Sequence, residues 1–243
     1  MPLKYSSKSS IRFITILTLI VTGIAHAAAP TPRKRPDASA LQKVSAGVFK
    51  FNEVTLDSGR QTVSFPAAIN MTSNLVEYVV VCDDGKTHES LLKTTVEPKD
   101  IHVAMLLIGA KGTPPPKASE PDHKKVLKGD RIRVWIEWRD KATRNRVRAE
   151  DLVLNDQTKL PMKHGDWIYN GSWIFNGSFV AQTERSVVSI ICDRDALMNS
   201  GHPQRADDEI WFANTKKIPT LDHPVSVKIE LLPQQEQKAS SKK

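Results

Sequence analysis

Arg131-Ile132-Arg133-Val134-Trp135-Ile136-Glu137-Trp138 alternates strictly, with Ile132, Val134, Ile136 and Trp138 on one side and charged residues or Trp135 on the other. A period of two over eight residues is the signature of a strand with one face buried and one face wet. Val147–Leu154 reads as its partner across the polar turn at 140–146. Working outward, Leu75–Cys82 is rich in β-branched and aromatic residues and is followed by Asp83-Asp84-Gly85-Lys86, a turn with glycine in place. Thr87–Leu92 is then expected to return as the second arm of a hairpin. Trp167-Ile168-Tyr169-Asn170-Gly171-Ser172 is followed at once by Trp173-Ile174-Phe175-Asn176-Gly177-Ser178. Asn-Gly between aromatic and β-branched residues is the strongest short hairpin signal. Val187–Cys192 and Val225–Leu232 complete the strands.

Helices are expected to be few. Residues 99–108 place Ile101, Ala104, Met105 and Ile108 at helical spacing, with Gly109 able to close the end. A second short helix is expected over 194–199. Many strands and one or two short helices predict an α+β class: a single β-rich domain of antiparallel hairpins, spanning residues 41–233. The proline-rich stretch from Gly109 to Pro121 reads as a long loop inside it.

The ends of the chain read differently. The chain opens with Lys4, Lys8 and Arg12 and no acidic residue, and an apolar run from Ile11 to Ile24, interrupted by Arg12, ends in Ala25-His26-Ala27. A basic start, a short apolar middle and a small-x-small site are the parts of a secretory signal peptide, here residues 1–27. The run is too short and threonine-rich for a membrane span, which needs about 20 apolar residues. A periplasmic or secreted location is therefore expected, with no transmembrane span once the leader is removed. Residues 28–40 read as a proline-rich basic linker, and residues 234–243 as a disordered basic tail.

Of the formal charge of +8, three positive charges lie in the leader, a net two in residues 28–40 and a net two in residues 234–243. The body is left at +1. A nucleic-acid reader gathers basic charge on a folded face, so nucleic acid is not an expected partner.

No phosphate loop, Gly-x-Ser-x-Gly, His-Glu-x-x-His or dinucleotide fingerprint is present. Candidate chemistry gathers instead between Cys82 and His102. His88, Glu89 and His102 would converge if the strand after the turn ran beside the helix, as a ligand-binding or divalent-metal site. The 13 residues between the two histidines match no standard ligand spacing, and a structural role is the competing reading. Arg146 and Arg148 could fork around an anion, although an edge strand's solvated face explains them as well. Trp167, Tyr169, Trp173 and Phe175 would suit either a sugar-binding face or a core. Asp193, Asp195, Asp207, Asp208 and Glu209 lack calcium-loop spacing. Cys82 and Cys192 each end a strand-like run, and an exported chain with two cysteines invites a disulfide. Two cysteines do not suffice for an iron–sulfur cluster, so none is expected from this chain.

His88-Glu89-Ser90-Leu91-Leu92 and Ile101-His102-Val103-Ala104-Met105-Leu106-Leu107-Ile108-Gly109-Ala110 resemble segments of the YdjY domain family of bacterial exported proteins. Val147-Arg148-Ala149-Glu150-Asp151, Gly171-Ser172, Gly177-Ser178-Phe179-Val180-Ala181 and Asp195-Ala196-Leu197 extend the resemblance over about residues 45–232. It implies a compact extracytoplasmic domain of no established activity. Some similar proteins carry an added ferredoxin-like segment, which this chain lacks. The function expected from all this is a non-enzymatic module that binds a small ligand or an envelope protein. The alternative is a metal-dependent hydrolytic or redox-associated enzyme using His88, Glu89 and His102.

Overall fold

The computed structural model describes residues 41–113, 128–233 and Glu236. The expected leader, the linker at 28–40, the rest of the tail and residues 114–127, which include the proline-rich loop from 114 to Pro121, lie outside the described residues. The chain begins with a meander of β1 (Leu41–Ser45), β2 (Val48–Phe51), β3 (Val54–Asp57) and β4 (Thr62–Ile69). Then come β5 (Tyr78–Cys82), β6 (Ser90–Thr94) and helix α1 (Pro98–Leu107). A long hairpin, β7 (Asp130–Asp140) and β8 (Thr143–Arg148), is followed by β9 (Val153–Asn155) and β10 (Leu160–Pro161). Next are β11 (Trp167–Tyr169), β12 (Ile174–Phe175), β13 (Ser178–Phe179) and a short helix α2 (Val180–Glu184). The chain ends with β14 (Ser186–Ser189), β15 (Met198–Ser200), β16 (Trp211–Ala213) and β17 (Pro224–Leu231).

Eight of these strands close on themselves. The order β4-β17-β7-β11-β15-β14-β5-β6 is completed by pairing of β6 with β4, through Ala68 with Lys93 and Ile69 with Leu92. Among the described residues strands make up 44% and only two α-helices accompany them, so this is a β-barrel fold and not the expected α+β domain of antiparallel hairpins. The hairpin reading fails at two barrel pairs. β5 with β6 and β14 with β15 run parallel. Gly85 turns the chain after β5, but a 3-10 turn at Thr87–Glu89 carries it back to the start of the sheet before β6 begins. The cause is burial: β5 is buried on both faces and β6 nearly so, and two-faced burial suits parallel neighbours better than a wet hairpin.

The period-two reading of β7 holds. Ile132, Val134 and Ile136 are fully buried and point into the barrel with Val63, Phe65, Val227 and Ile229. Its partner begins four residues earlier than expected, at Thr143, because Lys141 adopts a positive φ and tightens the turn. Of the two Asn-Gly pairs, the second makes the hairpin: Asn176 and Gly177 both have positive φ between β12 and β13. The first does not. Helix α1 forms where expected, whereas residues 194–199 are a turn leading into β15 and not a helix.

Outside the barrel, β1–β3 extend from β4 and β8 extends from β7. A small sheet, β10-β9-β16, attaches through Val76 N–H to the Trp211 carbonyl. No helix among the described residues is long and apolar enough to cross a membrane.

Candidate functional site

His88 and Glu89 lie side by side, but His102 does not join them. His88 is exposed in the 3-10 turn before β6, with Nε2 3.5 Å from the carboxylate of Glu89. α1 follows the far end of β6, roughly 16 Å of strand later. There His102 accepts a 2.8 Å hydrogen bond at Nδ1 from Tyr169 Oη, and its ring lies 4.8 Å from that of Phe179. Burial lowers the His102 pKa from its ordinary 6.5, and burial raises that of Tyr169, so a neutral imidazole faces a protonated phenol. Among the described residues no group of three or more His, Cys, Asp or Glu side chains is placed to hold a metal ion.

Arg146 and Arg148 both lie over the Trp135 ring, at 4.1 and 5.3 Å, but take different carboxylate partners. Arg146 stands on the outer face of β8, its guanidinium 4.1 Å over the Trp135 ring and 3.3 Å from Glu137. Arg148 is nearly buried and donates to Glu150 at 2.5 Å and to the Gly165 carbonyl. Glu150 is 1% exposed and also accepts from Gly165 N–H. That pair pins the chain leaving β8 to the loop before β11, and leaves the guanidinium engaged.

Cys82 and Cys192 form no disulfide. β5 and β14 are adjacent, as a bridge would need, but antiparallel, with Val81 opposite Ser186 and Tyr78 opposite Ser189. Cys82 closes β5 and Cys192 lies just past the C-terminal end of β14, so antiparallel pairing puts them at opposite ends of the barrel wall. A disulfide needs Cα atoms within about 7 Å.

One constellation gathers residues from four separate stretches of chain. A cleft of about 290 Å³ is lined by Tyr78 of β5, Lys86 of the following turn, Trp173 before β12, and Ile191–Asp195 after β14. Its floor is built from buried amides. Asn170, the first Asn of the doubled Asn-Gly, gives its NH2 to the carbonyls of Arg194 and Ala196. Asn199 on β15 donates to Asn170 Oδ1 and to the Asp193 carbonyl, and accepts from Asp193 N–H. Gly171, with φ +74, turns the chain so that Ser172 Oγ donates to the Asp195 carbonyl and accepts from Ala181 N–H at the start of α2. An interior position for such amides requires this kind of full satisfaction, and it fixes the 193–195 loop in one conformation.

On that floor the charged groups are ordered. Tyr78 Oη donates to Asp193 Oδ2 at 2.8 Å and accepts from Lys86 Nζ at 3.0 Å. Burial, then the neighbouring Asp193 charge, pushes the Tyr78 pKa up, so the phenol stays a donor. Asp193 Oδ1 accepts from Asp195 N–H, and Asp195 Oδ1 accepts from Trp173 Nε1–H at 2.7 Å. Arg194 lies 5.2 Å over the Trp173 ring. Trp167 and Tyr169 are buried in the core, whereas the Trp173 ring packs 5.3 Å from that of exposed Phe175; the four aromatics do not form one face.

Two other concavities are less suggestive. A cleft of about 210 Å³ beside Trp167 contains Glu150, already bound to Arg148, and His164, bound to Asp151 at 2.8 Å. A groove of about 780 Å³ on the outer barrel face is crossed by the Lys228–Glu137, Arg146–Glu137 and Arg60–Asp57 pairs. Sequence reading treated Lys86 as a turn residue and Asp193 and Asp195 as an irregular acidic run. The available signal was the Asn-Gly doublet: only one copy is needed for a hairpin.

The YdjY domain profile matches residues 54–230, which takes in every strand of the barrel. No curated protein and no solved structure matches.

Proposed function

The chain belongs to the YdjY domain family, and we propose that it is an exported, non-enzymatic module that holds a small ligand in the cleft between Tyr78, Lys86, Trp173 and Asp193–Asp195. One observation carries the reading: an open concavity lined from four separate stretches of chain has an aromatic wall, ordered charges and a 193–195 loop fixed by buried amides. Buried polar networks of this kind are a demanding way to shape a loop, and pre-organisation is what a binding site gains from them. Clefts with convergent polar groups on an apolar wall are the usual form of small-molecule sites. Export is supported by the three-part leader at residues 1–27.

The test is retention of a ligand. The purified protein is equilibrated with a small-molecule extract of its source, separated by gel filtration and analysed by mass spectrometry. A compound retained by the wild type and lost from Trp173→Ala and Asp193→Asn, with the fold intact by circular dichroism, is the expected result. Retention of nothing, or equal retention by all three proteins, would sink the proposal. N-terminal analysis of protein from the extracytoplasmic fraction should begin at Ala28; a full-length cytoplasmic product would remove the export part.

A further inference from the structure

We infer that the ligand of this cleft carries an oxyanion, a carboxylate or a phosphate, gripped by Lys86 and Arg194; the inference rests on the cleft being the binding site. The argument is an accounting of donors and acceptors. Both carboxylates of the cleft are already engaged by protein donors: Asp193 by Tyr78 Oη and Asp195 N–H, and Asp195 by Trp173 Nε1. Tyr78 Oη is engaged twice, as donor to Asp193 and acceptor from Lys86.

The cations are not used up in this way. Arg194 Nη1 is buried and has no hydrogen-bond partner among the described residues. A guanidinium has no acceptor of its own, so a buried N–H of this group asks for an oxygen from elsewhere. Lys86 Nζ gives one hydrogen bond, to Tyr78, and stands 4.0 Å from Asp193 and 3.9 Å from Glu184, outside hydrogen-bond range. An ammonium has three N–H donors, so Lys86 retains capacity as well. The concavity therefore offers a guanidinium N–H without a partner among the described residues and spare ammonium donors, beside carboxylates that already accept from protein groups. Charge-assisted hydrogen bonds to an oxyanion are the strong contacts such donors make. Trp173, with Arg194 laid across it, supplies the wall for the body of the ligand. About 290 Å³ fits a compact molecule such as a sugar acid or a small phosphate ester.

Calorimetric titration with matched probes tests this: D-glucuronate against D-glucose for a carboxylate, and glycerol 3-phosphate against glycerol for a phosphate. At least one anion should bind at least tenfold more tightly than its neutral counterpart. Arg194→Gln should bring that anion's affinity to the level of the neutral molecule, while Arg194→Lys keeps part of the preference. Lys86→Gln, at a more exposed position, should weaken the anion by several fold and serves as the deciding variant if Arg194→Gln does not fold. Equal binding of the neutral counterparts overturns the inference, as does failure of both anions to bind, or anion affinity unchanged in both variants. If both anions fail while the cleft variants still lose a compound retained from the extract, the binding site stands and only the oxyanion is wrong.

Discussion

At the scale of the residue, what matters is how each polar side chain taken out of water is satisfied. His102 illustrates the cost of burial for a titratable group. Its neutral form accepts from Tyr169, and its folded pKa lies below the ordinary 6.5. His202 shifts the same way, mainly through burial and then through Lys163. For both, the unfolded chain takes up protons first as pH falls through about 6.5, so acid favours unfolding until the folded-state pKa is passed. The melting temperature should therefore drop between pH 7 and pH 5, and the drop should be smaller in His102→Gln. An equal drop in the variant would show that His102 is not a source of the acid sensitivity. None of these partnerships was legible in the sequence. A histidine's neighbours come from other strands, and His88 and His102 looked alike until one proved exposed and the other packed against Phe179.

At the scale of the element, strand identity was legible and strand direction was not. β7, β17, β5 and α1 lie where periodicity and composition place them, because each pattern is a local consequence of which face is buried. Whether β6 runs with or against β5 depends on the path of seven intervening residues, and there the 3-10 turn overrode the glycine turn signal. Direction also decides the cysteines. With β5 and β14 antiparallel, Cys82 and Cys192 stay apart. Reducing agent should accordingly leave the melting temperature of the purified protein unchanged, and both thiols should react with a maleimide after denaturation. A reductant-dependent fall of several degrees would mean that the two are bridged.

At the scale of the whole molecule, closure of the barrel is the central event, and it rests on a short contact. β4 meets β6 through only two residue pairs, with Ile69 and Leu92 both fully buried. Ile69→Ala should cost about 2–5 kcal/mol, read as a lowered denaturation midpoint, because the cavity opens where the two ends of the sheet meet. A cost below about 1 kcal/mol would place the stabilising core elsewhere. The sequence by itself determined that this is a strand-rich domain with a clear helix and an identifiable family likeness, since composition and periodicity record burial one residue at a time. Only the tertiary structure decided that the strands close into a barrel, that His88 and His102 serve different ends of it, and that Tyr78, Lys86, Trp173 and Arg194 share one cleft. Those facts depend on which distant segments pair and in which direction, and no local pattern encodes that.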